Sequence, residues 1–588
     1  MPAPFVLLDD ATPGRERLLR FAGPKRVIEA TQPDHVPAAL RAIEEALTGG
    51  EHVAGWMSYE LGYVLEPRLN PCQWPQRELP LLWFGVFGAP EQVEREGLNA
   101  AGRAYAGPLR HEWDEAAYSE RFAKVHDYIE AGESYQANLS FRSGFHFVGD
   151  AMALYLELRD RAASPHGGFI DDGARKILSL SPELFFNISA RGEITARPMK
   201  GTAPRGADEL SDARSRAALA SSAKDRAENL MIVDLLRNDV GRLALIGSVG
   251  VPDLFSVETY PTLHTLVSTV TAQLKPATRA DAIVRALFPC GSVTGAPKIR
   301  AMEIIRELEQ SPRGAYCGAI GHFAPDGSAN FNVAIRTLTI SGNRGELGIG
   351  GAVVQDSTAK SEYAECLLKA RYFEDTRRQI GLIETLRFDQ GFVRRDRHLT
   401  RMQHSAACLG LPFDWTEAIR TLHYAVDGAR EALRVRLMLD ESGQFSCTMG
   451  AVGPQPSRWS FAISPHAVNS GDELLRHKTT WRAFYDDEQA RLAKLTGCDE
   501  ALFLNERGEV AECSRTNIFV KREGRLITPP LSAGVLNGVL RSELIEKGKC
   551  VEETLMPRDL EGEVLVGNSL RGLIPGALVQ TSALARGA

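Results

Sequence analysis

The chain has 588 residues, 44% hydrophobic and 24% charged, with a formal net charge of −7. That length exceeds what one hydrophobic core fills, so two or more domains are expected. Lys and Arg are scattered among acids, which excludes the basic face of a nucleic-acid binder, and no apolar stretch reaches the length of a membrane span.

In chain order, the opening MPAPFVLLDDATPG lacks a basic region followed by a long apolar run, so no signal peptide is expected. The nine scattered cysteines have no C-x-x-C spacing and read as reduced thiols of a cytoplasmic protein. From about 52 to 200, short β-type runs alternate with helices such as 114–132. ITARPMKGTAPRG (194–206) reads as a strand and then turn residues, with Lys200 where a solvated charge has little reason to be. The run 224–244 predicts an amphipathic helix with Ile232, Leu235, Leu236 and Leu243 on its apolar face. Glu228 falls on that face, where a carboxylate is paired, binds metal, or is a helix-start acid favoured by the macrodipole. GSVTGAPKIR (291–300) places Pro297 at a helix N1 position and leaves N–H groups free near Thr294 to Ala296. Residues 331–340 predict one strand with Arg336 opposite Phe331, Val333 and Ile335. A guanidinium there is either a carboxylate ligand or an edge residue in water. GIGGAVV (348–354) reads as a glycine turn whose amides suit a carboxylate. The helix predicted at 361–379 carries Glu362 and Glu365, with Lys369 spaced for an ordinary ion pair to Glu365. Carboxylates on two helices suit Mg²⁺, a hard ion that keeps waters.

The pattern restarts near 377–381, giving expected domains of 1–376 and 381–588. In the second, Lys478 precedes a helix-like run, Glu512 alternates in step with Ser514, and GVLNGVLR (534–541) sets glycines at a helix N-terminus. A lysine, an inward acid and a phosphate cradle are the parts that a pyridoxal phosphate (PLP) site needs. Two have a plain reading too: a solvated lysine, and an acid explained by Arg515 or by solvent.

Taken in order, SYQANLSFR, SPELFF, RPMKGT, RAENLMIVDLLRNDVGR, VETYPTLHTLVSTV, LFPCGSVTGAPKIRAMEII, GAYCGAIG, IRTLTI, GIGGAVVQDS and EYAECLLKA closely resemble the chorismate-utilising enzymes. Among these the chain looks most like the aminodeoxychorismate synthase component I branch. The resemblance covers nearly all of 1–375 and implies a four-layer α/β fold that binds chorismate with Mg²⁺. It makes Glu228 and Glu365 metal ligands, with Glu362 close by. Arg336 and the backbone of Gly350 and Gly351 then hold a chorismate carboxylate, and Lys369 counts among the substrate-binding groups. Glu183 becomes the general acid for loss of the 4-hydroxyl, and His264 and Thr294 line the ring site as further catalytic residues. Lys200 and Gln136 select the branch. Anthranilate and isochorismate synthases typically carry Ala at the place of Lys200, and isochorismate synthases a base lysine at that of Gln136. The branch so indicated has the lysine amine add to chorismate before ammonia does; a counter-ion role for Lys200 stays open. Cys290 and Cys317 come nearest to a glutaminase nucleophile, and neither has the required elbow, so a separate glutamine amidotransferase subunit or free ammonia is implied.

The second domain resembles the fold-type IV PLP enzymes over about 381–575, which implies two subdomains. DRHLTRMQHSAACLG looks like the family's H-x-x-R-x-x-x-S-A helix and places Arg401 on the phosphate. Lys478 would be the Schiff-base lysine and Glu512 the partner of the pyridine nitrogen. The amides of Val539 and Leu540, with Asn568, would complete the phosphate site. The chain departs from the family at its start: of an opening strand and F-G-D-G-x-F-E-T, only IETLR remains. Part of a wall is therefore lost or supplied by the first unit. Fusion to an aminodeoxychorismate maker favours the lyase that releases pyruvate and 4-aminobenzoate, and the resemblance leaves room for a homodimer through this domain. The competing readings are an anthranilate- or isochorismate-type synthase joined to a branched-chain-type aminotransferase, and a second domain that keeps the fold without turnover.

Overall fold

The computed structural model describes residues 4–260 and 263–579, so the expected domain limits at 1 and 588 lie outside the described residues. The chain forms two compact units. The first takes residues up to Asn99, Pro108–Phe145 and Tyr155–Thr376; the second takes Ala100–Gly107, His146–Leu154 and the residues from Arg377 onward. Two early segments thus belong with the late part of the chain. Strand pairing accounts for them: Ala104–Ala106 runs antiparallel to the end of the long strand Gln136–Gly149, with Tyr105 opposite Val148.

In the first unit two large sheets face each other, one of 10 strands and one of 11 counting Ala104–Ala106, among the described residues. Val6, Phe21, Ile170 and Ile177 from one sheet pack against Ala54, Trp56, Trp83 and Ile320 from the other. Helices cover the outer faces. Val36–Thr48, Ala280–Leu287 and Lys298–Leu308 bury Leu40, Ile43, Ile283, Val284 and Met302 against Val53, Phe84 and Phe331 of the second sheet. Glu115–Glu130 and Ala359–Glu374 lie over the first, where Tyr118 meets Phe141 and Phe145 meets Phe373. This makes four layers. Local chemistry sets the helix starts: Asp114, Ser222 and Thr358 each accept a first-turn N–H, and Tyr118, Phe122, Val125 and Ile129 recur at helical spacing.

The second unit has two sheets and, among the described residues, three apolar clusters. A three-stranded sheet, Leu382–Phe388, Leu433–Leu439 and Phe445–Ala451, carries the helices Arg395–Leu409 and Trp415–Ala425. An eight-stranded mixed sheet packs around Phe461, Leu502, Ile518 and Val566. No described helix is long and apolar enough to cross a membrane.

Candidate active sites

The first unit encloses a cavity of about 260 Å³. Lys200 enters it from the strand Met199–Pro204, and its amine has no hydrogen bond or ion pair among the described residues. Burial lowers the pKa of that amine, with Lys369 adding to the effect and Glu228, Glu183 and Glu365 opposing it. Glu183 Oε1 is buried without a protein partner, and burial pushes this carboxyl up to about 7 against the pull of Ser292 and Lys200. A carboxyl protonated near neutral pH is a usable acid. Arg336 adds a guanidinium whose charge burial disfavours, with the phenols of Tyr372 and Tyr260 near it and no carboxylate paired to it among the described residues. An unpaired buried cation is costly, so this position calls for an anion from outside.

Acids line the facing side. Glu365 pairs with Lys369 at 2.9 Å, and Lys369 also donates to Gly350 O at 2.9 Å. Ser357 Oγ donates to Glu362 Oε1 at 2.7 Å, and Lys224 lies 4.0 Å from Glu228. Burial raises both Glu228 and Glu362, and each also feels a like charge: Glu362 acts on Glu228, and Glu365 on Glu362. The three carboxylates share one cavity, yet among the described residues no three His, Cys, Asp or Glu side chains converge into a metal cage. Such a set fits a hard cation that keeps most of its waters.

A buried ion pair that sequence reading missed fixes two walls. Arg313 meets Glu309 through Nε at 2.9 Å, and donates to Val293 O at 2.8 Å and Asn138 O at 2.5 Å. Glu309 Oε1 in turn accepts from Ser140 N and Oγ, both at 2.9 Å. Removing one member of such a pair costs about 3–5 kcal/mol.

Several expected placements change. His264 is not on the cavity wall; its ring lies 2.9 Å from Thr259 Oγ1 and 3.0 Å from Asp212 Oδ1, tying its strand to the helix Glu209–Ser221. Thr294 is also off the wall, its hydroxyl donating to Cys290 O and Gly291 O at 3.1 Å, while Ser292 and Val293 face the cavity. Residues 331–340 are two strands, Ala329–Val333 and Thr337–Ser341, in different sheets. Arg336 occupies the crossover at φ +49° and so points into the cavity from a corner instead of a sheet face. The glycine run lies within the strand Arg344–Val353 and is no turn. Its glycines answer close approach: a Cβ on Gly350 would come within 2.4 Å of Ser140 Cβ, and one on Gly348 within 2.3 Å of the Tyr316 ring. Gly350 lines the cavity; Gly351 faces Glu362 and Lys369 and does not. Pro297 is the N-cap of its helix, one position earlier than expected. Gln136 is fully buried with neither amide atom partnered. Burial pushes the thiols of Cys290 and Cys317 up to about 12, far from a nucleophile.

The second unit holds a larger cavity, of about 480 Å³. Lys478 faces it with no hydrogen bond or ion pair on its amine among the described residues, and burial reinforced by Arg482 and Arg401 lowers that amine to about 8. Glu512 is raised to about 7 by burial while accepting from Leu536 N at 3.0 Å and Tyr485 Oη at 3.4 Å. Arg401 lines the cavity with its fork already engaged: Nε and Nη2 meet the two oxygens of Glu384 at 2.8 and 2.7 Å, and Nη1 donates to Asn537 O. Glu384 is 1% exposed and also meets His398 Nδ1 at 2.5 Å; despite burial, Arg401 and His398 bring its carboxyl down to about 2. Val539 and Asn568 border the cavity, and Leu540 does not. Asn568 Oδ1 accepts from Leu570 N and Arg571 N at 3.1 Å, shaping its own turn. Sequence reading also missed Arg434 and Arg436, which line the cavity without an ion pair among the described residues. Their signal was present: alternate arginines in the apolar strand LRVRLML.

Comparison with known proteins bears on both units. Residues 3–375 match the chorismate binding enzymes, and residues 381–579 match the class IV amino-transferases. The chain belongs to the chorismate binding enzymes. This chorismate binding enzyme is 48% identical over 248 residues to aminodeoxychorismate synthase component 1 of Escherichia coli strain K12, a match covering 42% of this chain and 54% of that protein. It is 39% identical over 337 residues to anthranilate synthase component 1 of Methanothermobacter marburgensis, covering 54% of this chain and 73% of that one. The crystal structure of anthranilate synthase component I from Streptococcus pneumoniae TIGR4 aligns with a TM-score of 0.51 at 25% identity, over 64% of this chain and 93% of that chain. The chain spans about half the length of the aminodeoxychorismate synthase components it matches.

Proposed function

We propose that the chain makes 4-aminobenzoate in two steps: amination of chorismate in the first unit, then loss of pyruvate in the second. The observation that carries the first step is the meeting of three groups in one cavity: an amine (Lys200) and a guanidinium (Arg336) unpaired among the described residues, and a carboxyl (Glu183) with one unpartnered oxygen. Arg336 binds a substrate carboxylate by its fork. Glu183 gives its proton to the departing 4-hydroxyl as Lys200 Nζ forms a bond to C2; ammonia then adds at C4 and displaces the amine. Glu228, Glu362 and Glu365 are the residues that would hold Mg²⁺, which supplies positive charge for a substrate carboxylate. The buried, protonated thiols of Cys290 and Cys317 support ammonia arriving from a separate glutamine amidotransferase.

In the second unit, a free lysine facing a buried acid across a roomy cavity fits PLP. Lys478 would carry it, Glu512 would face its ring nitrogen, and Arg401, the Val539 amide and Asn568 would border its phosphate. PLP supplies an electron sink when bound. The protein's part is acid–base work: Lys478 Nζ, held at about 8, takes up and returns the proton that moves as pyruvate leaves. Arg434 and Arg436 support a substrate with two carboxylates over an apolar amino acid. Incubating the purified chain with chorismate, Mg²⁺, PLP and an ammonium salt is expected to give 4-aminobenzoate. A 2-aminobenzoate product would overturn the first assignment, and lasting accumulation of aminodeoxychorismate the second.

A further inference from the structure

The loop that carries Lys478 is held from a distant part of the sequence. Arg103 lies inside the stretch matching the chorismate binding enzymes, yet residues 100–107 fold into the second unit. Its Nε donates to Asp472 Oδ2 at 2.7 Å and its Nη1 to Trp481 O at 3.3 Å. Asp472 is buried, and its other oxygen accepts from Leu474 N at 2.9 Å, capping the short helix Glu473–Arg476 that leads to Lys478. Arg103 therefore grips the loop on both sides of the lysine. A small cavity of about 30 Å³ brings Arg103 together with Lys478, Arg482, Tyr485 and Glu512.

The segment is built in, not laid on. Tyr105 is fully buried and meets Trp481 edge-on at 6.1 Å, and Val148 shares a core with Leu382, Leu386 and Leu439. Ala106 O accepts from Arg377 Nη1 at 3.1 Å, and a Cβ on Gly102 would press to 3.0 Å from Asp472 Cα. The class IV match begins only at residue 381, so the whole segment lies outside it.

We propose that Arg103, from a segment far upstream of the class IV stretch, is a positioning residue of the second site that acts through the loop carrying Lys478. The inference rests on Lys478 being the cofactor-bearing lysine. Its physical content is exclusion of water. Arg482, Arg401 and His398 face Lys478 and disfavour its charge, while Glu384 and Glu512 favour it; burial is the largest influence, and a loosened loop would admit water.

The test uses the full chain without cofactor, pulsed with acetic anhydride across a pH series, with acylation of Lys478 followed by peptide mass spectrometry. Arg103→Ala is expected to raise the midpoint for Lys478 by about one unit, a tenfold drop in free amine at a given pH. In the PLP-loaded chain the second step should slow about 10- to 100-fold, while amination of chorismate is unchanged. Asp472→Asn, which keeps a cap for the short helix, should move the midpoint the same way, and Arg103→Lys should fall between. A wild-type midpoint together with a wild-type second step in Arg103→Ala overturns the proposal. If that variant does not fold its second unit, the same result in Arg103→Lys overturns it. Lys478→Ala is the separate control: a second step that survives it would sink the reading of Lys478 itself.

Discussion

Each cavity sets a lysine near a carboxyl raised to about 7, and burial disfavours the ammonium in both, but the charged neighbours that follow burial differ. Around Lys200, burial disfavours the ammonium while Glu228, Glu183 and Glu365 favour it, and Lys369 sides with burial. Around Lys478, Arg482 and Arg401 reinforce burial, and the amine comes down to about 8. The difference matches the work proposed for each. The Lys478 amine, where two arginines outweigh the pull of Glu384 and Glu512, sheds and regains a proton near neutral pH. An amine set among acids is instead held over a spot that also attracts a metal ion and an anionic substrate.

The sharpest way to break this comparison is a pair of substitutions. Lys200→Ala should cost the first step about 10³-fold or more and spare the second, and Lys478→Ala should do the reverse. Assaying the first step from chorismate and the second from supplied aminodeoxychorismate checks both, and loss of both steps from either change would end the distinction between the sites. A smaller effect concerns the support under Arg401. The Glu384 carboxyl sits at about 2 in the folded chain against an ordinary 4.5. A lowered folded pKa means stability that is present above about pH 4.5 and lost as pH falls toward 2, worth about 3 kcal/mol. Glu384→Gln should remove that amount at neutral pH from the unfolding transition of the second unit and flatten its acid dependence; a transition unmoved by the change would show that the buried pair contributes nothing net. The mildest effect is on pH. With Glu183 raised to about 7, kcat/KM for the first step should decline at most tenfold per unit as pH rises past that value, and Glu183→Gln should abolish that limb.

Legibility in the sequence followed the range of the forces involved. The helices Ala223–Gly241 and Ala359–Glu374 came out within a few residues of expectation, because apolar spacing and a capping Ser or Thr act locally. Arg336 did not. The apolar alternation shifts from Phe331, Val333 and Ile335 to Leu338 and Ile340 where the chain leaves one sheet for the other, a one-residue slip that reading 331–340 as one strand passed over. The glycines at 348 and 350 looked like a turn because the side chains that crowd them, Tyr316 and Ser140, come from far along the chain. Glu384 stood in plain view in IETLR, yet its value depends on His398 and Arg401, 14 and 17 residues away, and on burial that only the folded unit supplies. Lys200 was readable as chemistry only through the ordered motifs around it.

The long strand Gln136–Gly149 has a practical meaning for anyone who divides this gene. Its first residues serve one unit and its last four, with Ala104–Ala106 beside them, serve the other. A cut in the linker at 377–380 would send Arg103, Tyr105 and Val148 away with the upstream fragment. The downstream fragment, expressed alone, would lack part of its apolar core, and the upstream one grafted onto another protein would carry a hairpin stripped of its cover. Fragment complementation, or a graft that carries residues 100–107 and 146–154 along, is the route by which the halves can be exchanged.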